Sequence, residues 1–376
     1  MTSPASALSA STSTRSSTLK GNTGQRIPEL DGLRAVSVSL VLLYHIWSLQ
    51  YATLVPHIRL LSRVINNCGD LGVKTFFVIS GFVICRLLIA EESSYGSVSL
   101  KGFYYRRIFR ILPPLYFYLC MLALLLSLGA IRERWSAIMS SSLFLCDLNT
   151  PSHRSWYVGH TWSLAVEEQF YLIFPPLWIL TSKPWKSRIF FGLFFLCTAW
   201  NLTVLFTGWN GLLVSRAVEG FACISCGVLM AIHEQRGRRL AASVPAFLAA
   251  LTALMLFVHP VVSPDWQVQL YEGLIMPPAI GLLLLFSLGS GARLRALLCS
   301  PPVQAVGLTS YGIYLWQQFF SAPKEYFAGS GTVVPFLLPL LCVIVPISYI
   351  LVEQPAMRYG RFLSERARRS GPARLQ

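Results

Sequence analysis

Acidic residues are scarce in this chain. Only 16 of its 376 residues are Asp or Glu, and charged residues of both signs make up 12%. An average soluble domain carries about 25% charged residues. With 54% hydrophobic residues and a mean hydropathy of +0.56, too little polar surface exists to cover a water-soluble globule. Other absences narrow the chemistry. No P-loop, GxGxxG, GxSxG or HExxH motif occurs, which excludes phosphate-loop, dinucleotide-fold, nucleophile-elbow and zinc-protease signatures. No internal repeat and no appended soluble domain is visible. Nine cysteines are scattered, mostly inside apolar runs. Cys223 and Cys226 form a CxxC without the second pair that a zinc site needs, so no metal is expected. A disulfide between Cys68 and Cys146 is one open reading.

What the chain has instead is apolar runs and basic residues. The 31 Lys and Arg give a formal charge of +15. Such an excess suits nucleic acid or a membrane surface, and the apolar runs select the membrane, with no nucleic-acid partner expected. A span needs roughly 20 mostly apolar residues. Ten such runs are read at 33–51, 71–90, 111–130, 161–181, 188–207, 212–232, 243–260, 269–290, 303–321 and 332–353. The expected fold is all-α, a polytopic bundle of about ten transmembrane helices occupying 26–361. Residues 1–25, rich in Ser, Thr and Ala, are expected as a disordered tail and not a signal peptide. Residues 362–376 are expected as a basic tail at the inner leaflet. With both termini cytoplasmic, 22 of the 31 Lys and Arg fall on the inner side and six on the outer side, as the positive-inside rule requires. The longer connections are 51–70, 91–110 and 131–160.

A few polar residues inside these runs carry the functional reading. Arg34 and His45 have ten residues between them. Eleven helical steps end about 20° past three full turns, so both side chains share one face, roughly 16 Å apart along the axis. Arg34 then sits at the cytoplasmic mouth and His45 near mid-membrane. An ionisable residue at that depth is a functional candidate. His45 suits a general base, and spacing alone leaves a neutral, packed histidine equally open. Arg107 and Arg110 lie one turn apart beside Arg106 in FYYRRIFRILPPLYF. Guanidinium forks match phosphate, while an ordinary inner-side basic cap is the plainer reading. Glu167 and Glu168 fall inside the fourth run, Glu167 roughly 9 Å deep. That is close to the depth of His45 in a core about 30 Å thick, so a carboxylate there is expected to orient the imidazole. Adjacent residues point about 100° apart, and Glu167 is the one taken to face it.

Several other polar positions read most simply as packing. Ser80 and Gly81 form a small-residue site where helices approach. Tyr311, Trp316, Gln317 and Gln318 suggest an aromatic and amide packing patch. Glu353, Pro355 and Arg358 read as a helix end at the inner interface. His153 and His160 flank an outer loop, within reach of an acceptor.

Taken together, LDGLRAVSVSLVLLYH, FFVISGFVI, FYYRRIFRILPPLYF, TWSLAVEEQFYL, YGIYLW and LVEQPAMRYG resemble the acyltransferase 3 family of integral-membrane acyltransferases. They occur in order over about residues 27–361. The resemblance implies a ten-span bundle taking an acyl group, usually acetyl, from cytosolic acyl-CoA. The acceptor is a hydroxyl of a carbohydrate (exopolysaccharide, lipopolysaccharide or other glycan) or of a secondary metabolite. It implies a bacterial cytoplasmic-membrane enzyme with acetyl-CoA as donor substrate and no metal. It implies Arg34 and His45 as the essential pair, Arg107 and Arg110 with Arg34 as donor-binding arginines, and Glu167 or Glu168 as the acidic position. Some relatives carry a C-terminal SGNH hydrolase-like domain, and this chain looks like the standalone form. It departs from the family pattern at Lys74 and Thr75, where GVDVFFVISG is usual, and at Gln317, where many members carry His. Both departures bear on acceptor recognition. A transporter or flippase of a lipid-linked substrate explains ten spans and buried charge equally well. It leaves the shared face of Arg34 and His45 and the second arginine pair unexplained.

Overall fold

The computed structural model describes residues 26–50, 59–148, 155–207, 212–262, 267, 270–289, 291–323, 326–327 and 338–369. These are almost entirely helical. In chain order they form α1 Pro28–Gln50, α2 Arg59–Tyr95, α3 Leu100–Ser127, α4 Trp135–Ser142 and α5 Thr161–Leu180. Next come α6 Lys183–Thr207, α7 Leu212–Ile232, α8 Glu234–Ser243 and α9 Ala246–Val262. The series ends with α10 Met276–Gly289, α11 Ala292–Leu298, α12 Pro301–Leu308, α13 Ser310–Phe320, α14 Leu341–Ser348 and α15 Gln354–Arg369. One π-turn, Tyr271–Ile275, precedes α10, and a second, Tyr349–Glu353, joins α14 to α15.

Six of these helical stretches are long and apolar enough to cross a membrane: Pro28–Trp47, Leu61–Tyr95, Leu100–Ser127, Lys183–Val204, Tyr271–Gly289 and Leu341–Arg369. A seventh is the bent pair Arg216–Ile232 and Glu234–Ser243, which turns through 88°. Four of the expected runs differ for local reasons, and at 243–260 the helix α9 is apolar but too short to count as a span. α5 is 20 residues long, but Glu167, Glu168 and Gln169 interrupt its apolar character. The 303–321 run is broken at Thr309 into two short helices. The first residues of the 332–353 run lie outside the described residues, and its helix continues to Arg369 instead of ending at 353. The connection expected at 51–70 is helical from Arg59 onward. Asn67 gives this extension a reason to be ordered, because its amide donates to the Leu256 and Phe257 carbonyls of α9. α3 begins at Leu100, capped by the Ser99 hydroxyl, so its arginines lie on the helix and not in a connection.

The bundle is organised round α2, which packs along α1 and α7. Its side chains Phe77, Val78, Phe82, Ile84, Cys85 and Leu88 are buried. Two glycines allow the closest crossing. A Cβ on Gly81 would collide with the Ile224 carbonyl of α7, and one on Gly227 with the Val78 carbonyl of α2. Removing both Cβ atoms lets the backbones meet, the usual small-residue solution for helices in lipid. The 1–25 tail expected from sequence lies outside the described residues. The tail expected from 362 begins inside α15, which packs along α3. Arg106 donates to Ser364 and to Glu91, and Arg368 pairs with the same Glu91 at 2.8 Å. All nine cysteines are free, which removes the Cys68–Cys146 disulfide. Cys68 donates to the Val64 carbonyl, and Cys146 contacts Thr161.

The crossing gives a direct test. Gly81→Leu should separate α2 from α7 and destabilise the bundle by about 1–3 kcal/mol or more, the cost of overpacking a tight site. A thermal melt of the detergent-solubilised variant that matched the wild type would refute this close contact.

Candidate active site

Five helices converge on one polar cavity. It offers about 80 Å³ to water-sized molecules, where a single water needs roughly 10–15 Å³. Its polar lining comes from Arg34 on α1, Ser80 on α2, Arg107 and Arg110 on α3, Ser163 and Glu167 on α5, and Ser310, Tyr311 and Tyr314 on α13. The spacing within each helix explains the convergence. Arg107 and Arg110, Ser163 and Glu167, and Ser310 and Tyr314 are each three or four residues apart, so each pair shares a face.

The three arginines are held differently. Asp31, itself buried, accepts from Arg34 at 3.1 Å and from Arg26 at 2.6 Å. Arg107 lies over the Tyr171 ring, its guanidinium carbon 4.1 Å from the centroid. That face offers π density without removing the charge. Arg110 has no carboxylate within ion-pair distance among the described residues, and the charges of Arg34 and Arg107 both reach it. Next to it, α3 carries Pro113 and Pro114. Proline has no N–H, so the Phe109 and Arg110 carbonyls lose their helical partners. Tyr311 docks at the same place by donating to the Ile111 carbonyl at 3.0 Å. Arg106, one residue before Arg107, points instead to Glu91 and Ser364 and serves the tail contact.

Glu167 belongs to this cavity and is not brought to His45. Its two oxygens accept from Ser80 at 2.7 Å and from Tyr171 at 3.0 Å. Tyr171 thereby links the carboxylate to Arg107. Glu168, partly buried beside it, has one buried oxygen lacking a hydrogen bond among the described residues and lies within electrostatic reach of Arg107. Adjacent positions on α5 thus serve the same arginine from two sides.

His45 does not line the cavity. It lies three turns along α1 from Arg34, beside Tyr44 and Trp156, whose ring centroid is 6.1 Å away. Its Nδ1 is 2.9 Å from the Val41 carbonyl. A carbonyl only accepts, so Nδ1 carries the proton and Nε2 keeps the lone pair. The helix itself therefore sets the tautomer that a base requires, without Glu167.

Three further residues join this region. Glu353 does not end a helix. The π-turn carries it into the interior, 4% exposed, against Gly312 and within electrostatic reach of Arg110. Single π-turns inside helices are frequent at functional sites, and the extra residue they insert hides such positions from a 3.6-residue reading. Tyr314 bonds Ser163 at 2.6 Å and donates to the His160 carbonyl at 3.0 Å. Its spacing from Ser310 is the sequence signal that marks it. His160, expected to flank an outer loop, is buried at the start of α5, and His153 lies outside the described residues.

Lys74 sits elsewhere. It is buried at the centre of Asp70, Glu219 and Glu272, at 2.6, 2.5 and 3.1 Å, and ties α2 to α7 and the first π-turn. The three carboxylates lie within 4.8 Å of one another. The ammonium is what lets them approach. Lys74→Met should therefore destabilise the protein by about 3–5 kcal/mol, the cost of stranding one side of a buried ion cluster. An unchanged melting temperature in detergent would show that the cluster is not held by Lys74.

The family described as an acyltransferase domain, the acyltransferase 3 family, matches residues 27–353. O-acetyltransferase OatA of Staphylococcus aureus (strain NCTC 8325 / PS 47) is 25% identical over 363 residues, covering 89% of this chain and 58% of that protein. A second protein, from Staphylococcus aureus (strain COL), also bears an O-acetyltransferase name. It is 27% identical over 369 residues with the same coverage. The chain thus spans 58% of the length of the curated relatives it matches. No solved structure matches it.

Proposed function

The chain belongs to the acyltransferase 3 family, and on that premise we propose that it is a multi-pass O-acyltransferase of the bacterial cytoplasmic membrane. It takes an acyl group, acetyl foremost, from cytosolic acyl-CoA and passes it to a hydroxyl of a glycan or secondary metabolite. Both termini lie in the cytoplasm in this reading. The observation that carries it is the arginine cavity, where three guanidiniums face one space and Arg110 makes no ion pair among the described residues. A phosphate of the donor supplies the missing charge. Arg34 and Arg107 are pre-oriented by Asp31 and Tyr171 to close on it. Glu167 keeps Tyr171, and with it Arg107, in place.

The chemistry then lies one pantetheine arm away, at His45. Its Nε2 takes the proton from the acceptor hydroxyl as the oxygen attacks the thioester carbonyl. The C–S bond breaks, the thiolate recovers the proton from His45, and the ester leaves with the acceptor. Transfer through an acyl-histidine is the less favoured variant, because His45 then has to act as nucleophile and base in turn. General-base catalysis is worth about 10²–10⁴-fold.

Two substitutions separate binding from chemistry. His45→Ala should lose at least about 10²-fold in turnover while the apparent affinity for acetyl-CoA stays near wild type. Arg110→Ala should chiefly raise the donor KM. Both are read with labelled acetyl-CoA and the purified chain in lipid. Normal turnover by His45→Ala would remove the base assignment, and an unchanged donor KM for Arg110→Ala would remove the phosphate site.

A further inference from the structure

Two buried side chains beside the His45 region have polar atoms without a hydrogen bond among the described residues. His160 is 4% exposed, and neither of its ring nitrogens makes a hydrogen bond among the described residues. The Leu315 carbonyl and the Gln318 side chain lie near the ring without reaching hydrogen-bond geometry with either nitrogen. Gln317 is fully buried, and neither its Nε2 nor its Oε1 has a hydrogen-bond partner among the described residues. Native interiors satisfy the great majority of buried polar groups, so each exception calls for a reason. Two at one place call for a shared one.

Their positions supply it. His160 continues the α5 face that carries Ser163 and Glu167 into the cavity, and Gln317 continues the α13 face that carries Ser310 and Tyr314. Each lies one turn beyond the cavity lining. Tyr314 clamps the two helices there, bonding Ser163 and the His160 carbonyl, with its ring 5.4 Å from the His160 ring. Gln318 fixes the same corner. Its Oε1 accepts from the His160 backbone N–H, and its carbonyl accepts from the Trp156 indole. Trp156 in turn stands against His45, and His45 and His160 lie within electrostatic reach of each other. The base and the two unbonded side chains therefore occupy one neighbourhood, on the far side of Tyr314 from the arginines.

We propose that His160 and Gln317 supply the N–H donors that hold the thioester oxygen while it carries charge. This rests on the acyl-transfer reading given above. A neutral imidazole has one N–H and a primary amide has two, and such side chains serve as oxyanion donors in acyl transfer. As the acceptor oxygen bonds to the thioester carbon, its proton passes to His45 Nε2. The C=O electron pair moves onto the carbonyl oxygen, which receives the two N–H bonds. Collapse restores the C=O and expels the thiolate, which takes the proton back from His45. The donors gain and lose no proton. Their preorganisation in a dry site makes them stronger at the transition state than in water.

The test uses the purified full chain in lipid nanodiscs, with hydrolysis of the acetyl-CoA thioester as the turnover assay and CoA itself as the binding probe. His160→Ala and Gln317→Leu should each lower kcat by about 10²–10³-fold, the effect of removing one oxyanion donor. Acetyl-CoA KM and CoA affinity should stay at wild-type values. His160→Gln restores an N–H and should recover part of the loss. Wild-type kcat in both His160→Ala and Gln317→Leu would overturn the assignment. So would losses that appear equally in CoA binding and are not relieved by His160→Gln, which is the pattern of a packing role. A wild-type chain that binds CoA but leaves the thioester intact would overturn the acyl-transfer reading itself, and this inference with it.

Discussion

A cation inside an apolar bundle has to be met by a carboxylate, an aromatic face or a ligand, and this constraint orders the whole molecule. With so few acids available, several are shared. Asp31 serves Arg26 and Arg34, Glu91 serves Arg106 and Arg368, and Glu234 serves Arg86 and Arg238. Glu92 meets Lys186 beside the Trp178 ring. Burying an unpaired ion costs several kcal/mol even after relaxation, so these pairings decide which helices lie side by side. Against that pattern Arg110 stands out. It faces a cavity that Arg34 and Arg107 also line, and it makes no ion pair there among the described residues, with Glu353 within electrostatic reach.

Two chemistries are thereby kept apart on the same helices. α1 carries Arg34 at one end and His45 three turns away, α13 packs on it, and α5 and α13 carry their own polar residues at matching intervals. The arginine end is rich in charge. The His45 end is lined by neutral groups, with Trp156, Tyr314, Gln317 and Gln318 around His160. Strong ionic contacts suit the part of a substrate that only has to be held. Neutral donors and a single base suit the part that has to react, because they do not lock the ground state in place.

Much of this was legible in the sequence, for reasons that can be stated residue by residue. Helical periodicity alone placed Arg34 and His45 on one face and Arg107 with Arg110, because both relations lie within a single helix. The small residues at Ser80 and Gly81 announced a close crossing, and Gly81 makes one. Partnerships between helices were not legible. Arg106 and Arg107 are adjacent, yet one serves the tail and the other the cavity, which depends on where α15 and α5 fall. Glu167 matches His45 in depth, but Ser80 and Tyr171 claim its oxygens. His160 lies next to a connection and still packs inside, because Tyr314 and Gln318 reach it from α13. A shared level along the bundle axis is therefore weaker information than a shared face.

The π-turn at Tyr349–Glu353 has a mechanical meaning as well. Such a turn is one residue inserted into a helix, and each helical residue advances the phase by about 100°. Everything downstream is rotated by that step, including Gly360 and Ser364, which seat α15 on α3. Restoring the regular helix would swing Glu353 away from Arg110 and Ser364 away from Arg106 together. The inserted residue thus acts as a key in a lock. It keeps the last helix in phase with both the arginine cavity and the face of α3 on which the chain finishes.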